Sequence, residues 1–404
     1  MDSTRPPLSP GTRLIHRLAR YILRLLREQL FPGHPPTPWP KDIPIRLQVE
    51  CHQIVAVVVK AFLNAEHLAW ALHDYKVQKG KLTAAELLAR FPPASRQKGD
   101  GTPYIKDEPF IVVDSVGRIL LWYLPNIVSS ARQVGSSIVA LFDSLLTGSK
   151  AVILEAISWL SFDAPETPLL TKPCEFRRHE GTFTPSGPLV RSGVATFASC
   201  WPVPMKSRDQ KDPSSSLRPS TTFSDPRNGG LEFLEKVSES MAILGAILAA
   251  VHPAQFEAGL DVLAHLNAGS IVTQEPALLR QVLELWSTPF TAFSVVNNRD
   301  TWLHLDPKSP PRAYDLLYTG GRYSDARFEV PSLGLRCRYN PGTVVALLAA
   351  LFEHGISPVV GDRVGISQFF RQVMIEQVPC SRLPTTMYFA DFLNLFSSDY
   401  YFKD

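Results

Sequence analysis

Through the last third of the chain, apolar and polar positions alternate with a period of two. Ala326-Arg327-Phe328-Glu329-Val330-Pro331 reads as a half-buried strand, and Leu333-Gly334-Leu335-Arg336-Cys337-Arg338-Tyr339 repeats the alternation. The turn Asn340-Pro341-Gly342 leads into Thr343-Val344-Val345-Ala346-Leu347-Leu348, an apolar run expected of a buried strand, and residues 363–370 read as one more. Upstream, Phe110-Ile111-Val112-Val113 and Ile119-Leu120-Leu121-Trp122-Tyr123 flank Ser115-Val116-Gly117, the pattern of a β-hairpin. Gly193-Val194-Ala195-Thr196-Phe197-Ala198 is a further strand, followed by Trp201. Short strands separated by turn residues predict a barrel or a sandwich.

Elsewhere the period is helical. From Leu14 to Phe31, apolar residues at helical spacing are interleaved with Arg17, Arg20, Arg24 and Arg27, with Arg13 just before. This is a basic amphipathic helix, expected to pack on the domain and solvate its arginines, with phosphate contact or membrane-surface contact as the alternatives. Residues 32–44 are Pro-rich and read as a connector. Residues 45–92 look helical, through Ile54 to Asp74 and again through Thr83 to Arg90, with a break at Lys79-Gly80-Lys81-Leu82-Thr83. Helices are also expected over 127–160, 231–266 and 274–287. The stretch 203–230, rich in Ser, Pro, Asp, Lys and Arg, reads as a polar mobile insert. The expected organisation is a helical N-terminal region over 1–100, a domain over 107–375 and a tail over 376–404.

Composition narrows the class. With 404 residues, 45% hydrophobic and 20% charged, the chain is an ordinary globular protein. A net charge of +3 announces no polyanion partner, so any nucleic-acid site must be a local patch. The densest basic cluster is Arg177, Arg178 and His179, with Lys172 and Arg191 nearby. Lys206, Arg208, Lys211, Arg218 and Arg227 are spread through the polar insert among Asp209, Asp212 and Asp225, where a solvated loop and contact with a substrate strand are the two readings. Cysteines at 51, 174, 200, 337 and 380 form no CxxC pair, which argues against a zinc knuckle and for reduced thiols inside the cell. His52, His67 and His73 lack metal-site spacing. No signal peptide is read at the N-terminus, and no apolar run is long enough to span a membrane.

Chemistry enters at His304-Leu305-Asp306. Side chains two apart on a strand share a face, so this HxD pair can offer two ligands to one ion. His354 follows in Phe-Glu-His-Gly-Ile, and Arg363 in Gly-Asp-Arg-Val. Two histidines and a carboxylate form the facial triad of a non-haem Fe(II) oxygenase, which leaves the opposite face of the ion open. The alternative is a partly buried histidine hydrogen-bonded to Asp306. Arginine fits a carboxylate bidentately and suits the far end of 2-oxoglutarate. An α+β fold is therefore predicted: a double-stranded β-helix (jelly-roll) core with flanking helices and a helical N-terminal region.

Residues 293–371 resemble the oxygenase core of the TET/JBP-type dioxygenases that use 2-oxoglutarate and iron, in particular the expanded, transposon-associated branch of mushroom-forming fungi. The matching pieces are Val295-Val296-Asn297-Asn298-Arg299, His304-Leu305-Asp306, Tyr314-Asp315-Leu316-Leu317, Leu333-Gly334-Leu335-Arg336, Arg338-Tyr339-Asn340-Pro341-Gly342-Thr343-Val344-Val345, His354-Gly355-Ile356 and Gly361-Asp362-Arg363. The stretch from Val113 to Pro125 is similar to an upstream segment of the same proteins. The resemblance implies Fe(II) on His304, Asp306 and His354, and 2-oxoglutarate on Arg363. Leu305 stands where these proteins usually have a charge, and Gly365 where related oxygenases often place a hydroxyl. The implied activity is O2-dependent oxidation of the 5-methylcytosine methyl group in DNA to 5-hydroxymethylcytosine and possible further products, in the nucleus or cytoplasm with the nucleus favoured. The base must leave the duplex to reach a buried ion. Candidates for stacking it or reading its edge are Trp201, Trp302, Asn298, Arg299 and Tyr314, with Arg177 and Arg178 on the phosphates. An oxygenase of the same fold acting on N6-methyladenine, methylated RNA or a protein side chain is the alternative, as is a non-catalytic nucleic-acid-binding relative. Composition and motifs leave the oligomeric state open.

Overall fold

In the computed structural model, the described residues are 5–93, 105–128, 149–157, 160, 182–184, 190–202, 217–378 and 383–397. The strands that precede residue 292 are β1 (Ala65–His67), β2 (Ile105–Lys106), β3 (Phe110–Val113), β4 (Ile119–Leu124), β5 (Gly193–Ala198), β6 (Trp201–Pro202) and β7 (Leu217–Arg218). Eight more form the core: β8 (Ala292–Asn297), β9 (Thr301–His304), β10 (Asp315–Tyr323), β11 (Arg327–Val330), β12 (Leu335–Arg338), β13 (Val344–Leu347), β14 (His354–Ile356) and β15 (Gly361–Phe369).

Neighbours in the large sheet run β13-β10-β15-β8, and in the small sheet β12-β11-β14-β9. The chain thus switches sheets between nearly every pair of successive strands, which is the winding of a double-stranded β-helix. β4, β3 and β1 extend the large sheet on one side, β5 extends it on the other, and β2 extends the small sheet. Each sheet face has a separate environment. On β15, Val364, Ile366, Gln368 and Phe370 beyond it are buried, while Gly365, Ser367 and Phe369 are half-buried and look into a cavity between the sheets.

The outer face of β5 and β8 is sealed by helices α7 (Gly230–Val251), α8 (Pro253–Asn267) and α9 (Pro276–Leu285), which follow α1 (Pro10–Leu30), α2 (Ile45–Leu63), α3 (Leu72–Gln78), α4 (Ala84–Arg90), α5 (Ser149–Ile157) and α6 (Thr221–Ser224). Phe197 of β5 stacks on Phe293 of β8 at 4.7 Å and on Phe233 of α7 at 5.2 Å. Helix α7 is apolar nearly all round and is buried accordingly. Its far side takes Ile15, Leu18, Ile22 and Leu26 of α1, so the N-terminal helices and the barrel share one core. α10 (Gln372–Glu376) and α11 (Phe389–Ser397) complete the chain. No described helix is long and apolar enough to cross a membrane.

The structure differs from the pattern reading in three places. The helix expected from Ile54 to Asp74 stops at Leu63, because the chain turns there to pair β1 with β3, and Asn64 Nδ2 donates to the Pro109 carbonyl at 2.9 Å. The helix expected over 231–266 is two helices, broken where Pro253 removes an N–H and His252 caps the new start. Within the polar insert, residues 203–216 lie outside the described residues, but 217–230 is folded. Leu217 and Phe223 are buried, and Thr222 Oγ1 donates to the Thr196 carbonyl at 2.7 Å. The pair Gly320-Gly321 lies inside the nine-residue strand β10. Gly321 has φ +116°, and a Cβ there would collide with the Asp362 carbonyl oxygen, so glycine is what lets β15 approach. Of the helices expected over 127–160, α5 is seen; residues 129–148 lie outside the described residues.

Candidate metal centre and cavity

β9 and β14 pair antiparallel with His304 opposite His354, so 49 residues of intervening chain close into a contact between two rings. Their centroids are 4.5 Å apart. His304 Nδ1–H donates to the Trp302 carbonyl at 2.8 Å, and His354 Nδ1–H donates to the Phe352 carbonyl at 3.0 Å. A carbonyl can only accept, so each ring carries its proton on Nδ1 and keeps the Nε2 lone pair. Both Nε2 atoms face Asp306 Oδ2, at 3.8 and 3.6 Å. Asp306 is held by its backbone N–H, which donates to the Ala349 carbonyl at 3.0 Å. The three ligand atoms lie within 4.8 Å of one another, and among the described residues no other such group of His, Cys, Asp or Glu occurs. Donors about 2.0–2.2 Å from one ion sit within roughly 4.2 Å of each other, so the set needs only slight closure to hold a metal. Imidazoles anchored to carbonyls through Nδ1, with Nε2 turned toward the carboxylate, have the ligand orientation that metal sites use.

Arg363 occupies the opposite end of the same space. β15 pairs with β10 so that Arg363 faces Gly321 and Gln368 faces Leu316. Next to Leu316 lies the buried Asp315, whose carboxyl is pushed well above the usual range by burial first and by the Asp306 charge second. Asp315 Oδ2 accepts from Ser309 Oγ at 2.7 Å. The triad therefore lies toward the Gln368 end of β15 and Arg363 toward its start. Between them is a cavity of about 500 Å³ lined by both groups, within the range of small-molecule sites. The exposed Pro307 and Lys308 line it too, so it opens at the metal end.

Arg363 is buried and clamped. Its backbone N–H donates to Asn298 Oδ1 at 2.8 Å, and its carbonyl accepts from the Asn298 N–H at 2.8 Å. Its Nη2 donates to the Arg299 carbonyl. Asn298 has φ +48° and spends its amide on the frame around Arg363: Nδ2 donates to the Val190 carbonyl at 3.2 Å and to the Asp362 side-chain Oδ1 at 3.3 Å. Gly365 leaves room beside the guanidinium, since a Cβ there would lie 3.5 Å from Arg363 Nη1.

The substrate candidates separate. Arg299 lines the cavity. Trp302 is half exposed on edge strand β9, beside His304. Trp201 carries the Arg371 guanidinium 5.7 Å over its ring, and Arg371 lines the cavity. Asn298 is buried and committed to Arg363. Tyr314 is a core residue rather than a stacking face: it is fully buried, and its hydroxyl donates to the Ile119 carbonyl. Arg177 and Arg178, with Lys172 and His179, lie outside the described residues. The motif reading passed over Lys308, Arg371 and the cavity hydroxyls of Thr196, Ser294 and Ser367. The last could have been found from the alternation of Gly365, Ser367 and Phe369 along β15.

Residues 208–372 match the family model Tet_JBP, described as the oxygenase domain of the 2OGFeDO superfamily. No curated protein matches the chain. Among solved structures, NgTET1 in complex with 5mC DNA is similar at 12% identity and a TM-score of 0.38, over 69% of this chain and 83% of that one. The apo form of a C-terminally truncated Neurospora crassa protein is similar at 11% identity and a TM-score of 0.18, over 60% of this chain and 92% of that one.

Proposed function

Because residues 208–372 belong to the oxygenase domain family of the 2-oxoglutarate- and Fe(II)-dependent dioxygenases, and the site fits both cofactors, we propose that this dioxygenase oxidises the methyl group of 5-methylcytosine in DNA. The observation that supports this substrate is the open cavity: it runs from Arg363 to the triad and ends in two cations, Lys308 and Arg371, at the metal end. A polyanion bearing a flipped base suits that mouth, with phosphates near the cations and the base inside.

His304, Asp306 and His354 would hold Fe(II), and Arg363 would take the distal carboxylate of 2-oxoglutarate in a bidentate pair. When bound, the iron and 2-oxoglutarate supply O2-dependent hydroxylation of a C–H bond, with release of succinate and CO2. The chain's own part is placement. Phe352 and Trp302 carbonyls aim the two Nε2 atoms, and Asn298 fixes Arg363. Phe328, Ile356 and Leu317 supply apolar wall in the same cavity, which strengthens the ionic contact to Arg363.

The test is incubation with Fe(II) and 2-oxoglutarate on methylated and unmethylated DNA and RNA, read by nucleoside mass spectrometry. 5-Hydroxymethylcytosine from methylated DNA is expected. Turnover of N6-methyladenine, methylated RNA or a protein instead would replace the substrate reading, and no product or succinate from any of them would mark a non-catalytic nucleic-acid-binding relative.

A further inference from the structure

On the inner face of the large sheet, three hydroxyl residues share one row across three adjacent strands. Thr196 of β5 pairs with Ser294 of β8, and Ser294 pairs with Ser367 of β15. All three line the cavity and are half-buried, while their sequence neighbours Phe197, Phe293, Ala195 and Val295 are buried and do not line it. A core-facing wall of this sheet would be aliphatic, as Val194 and Val296 are in the next row. Thr196 Oγ1 and Ser294 Oγ share a hydrogen bond of 3.0 Å. Ser367 lies four residues beyond Arg363 on the same face, about 13 Å along the strand at about 3.3 Å per residue. It is thus nearer the triad end of β15, past the space that faces the arginine.

We propose that Thr196, Ser294 and Ser367 form the wall that hydrogen-bonds the polar edge of the flipped substrate base. This rests on the nucleobase reading of the same cavity given above. Hydroxyl inventory supports it. Three hydroxyls offer three protons, and the Thr196–Ser294 bond uses one, which leaves two donors and several lone pairs facing the cavity. The Watson–Crick edge of cytosine has one amino donor and two acceptors, N3 and O2, so two donors and one acceptor satisfy it completely. The adenine edge would leave one wall donor idle. The row is therefore a specificity element, set by strand register, and it is separate from the cofactor contacts.

The experiment compares substitutions that remove a hydroxyl with substitutions that keep it. Thr196→Val and Ser367→Ala each lose a hydrogen bond, and Thr196→Ser and Ser367→Thr retain one. Binding of a 5-methylcytosine duplex to the protein and KM for that duplex are measured at saturating 2-oxoglutarate, and 2-oxoglutarate binding is measured alone. Each hydroxyl-removing variant should weaken duplex binding and raise KM by up to roughly ten-fold. The hydroxyl-retaining variants should stay within about two-fold of the parent. 2-Oxoglutarate binding at the parental value in all four confirms intact folding. Parental duplex binding and KM in Thr196→Val and Ser367→Ala overturns the wall, and so does Thr196→Ser falling as far as Thr196→Val. If the parent instead turns over another methylated polymer, the 5-methylcytosine reading fails, and the same variants on that polymer decide the wall by the same criterion. If the parent neither binds nor oxidises any of these polymers, both fail.

Discussion

Replacing Asn298 by alanine tests whether the site's cationic end is set by its frame. The amide accepts from the Arg363 N–H at 2.8 Å and donates to Val190 at 3.2 Å and Asp362 at 3.3 Å. Three buried bonds at about 1 kcal/mol each give about 3 kcal/mol. Alanine at φ +48° adds roughly 1 kcal/mol that asparagine partly escapes through local bonding. The expected total is about 4 kcal/mol for Asn298→Ala and about 3 kcal/mol for Asn298→Gly, which tolerates the backbone. Asn298→Asp keeps the acceptor for Arg363 but turns a carboxylate oxygen toward Asp362 and the Val190 carbonyl, so it should be worse than glycine. Urea denaturation reads the stability, and calorimetric titration reads 2-oxoglutarate affinity, which should fall about ten-fold as Arg363 loosens, while Fe(II) affinity holds. A loss under about 1 kcal/mol in Asn298→Ala refutes the clamp. Normal 2-oxoglutarate affinity with weakened binding of methylated duplex would instead make Asn298 a substrate contact.

Arg363→Lys keeps a charge but loses the fork, so 2-oxoglutarate affinity should drop at least ten-fold with Fe(II) binding intact; an unchanged affinity in Arg363→Ala rejects the assignment. Fe(II) at 100 times its dissociation constant should stabilise the anaerobic parent by about 2.7 kcal/mol, and His354→Ala should forfeit this; equal stabilisation of both proteins would place the metal elsewhere. His252 caps α8 with Nδ1 and donates from Nε2 to the Thr385 carbonyl, and burial pushes its imidazole down to about 4. The unfolded chain takes up this proton below about pH 6.5 and the folded one resists until about 4, so stability is full above pH 6.5 and falls by up to about 3 kcal/mol as pH drops to 4. Denaturation midpoints of the parent and His252→Gln across pH 7 to 4 check it: the parent should lose stability more steeply, and equal slopes reject it.

The barrel was legible because its strands alternate. Phe328, Val330 and Cys337 are buried and their neighbours are not, as period-two patterning demands. The triad was legible because the HxD spacing brings two ligands together, here with His304 ending β9 and Asp306 just beyond it. What escaped was set by partners distant in sequence. Gly320-Gly321 has the composition of a turn, and only the approach of β15 shows why glycine stands inside a strand. Tyr314 looks like any aromatic beside a motif until Ile119, 195 residues away, takes its hydroxyl. Asn298 is read equally well as a base contact or as a clamp, and the difference lies in Val190 and Asp362, which no local pattern connects to it.

The arrangement also explains why the N-terminal helices matter to a site they never touch. The cavity wall at β5 and β8 belongs to the edge of a sheet, and an edge strand alone bends and slips readily. Here Phe197 and Phe293 are pinned to Phe233 of α7, and α7 is pinned in turn by α1 through Ile15, which lies against Gly245. A one-residue slip of β5 would turn Thr196 into the helical layer and Phe197 into the cavity. The aromatic stack makes that slip costly, at about 3–5 kcal/mol for each large side chain withdrawn from the core. Register on the outer face thus fixes chemistry on the inner face.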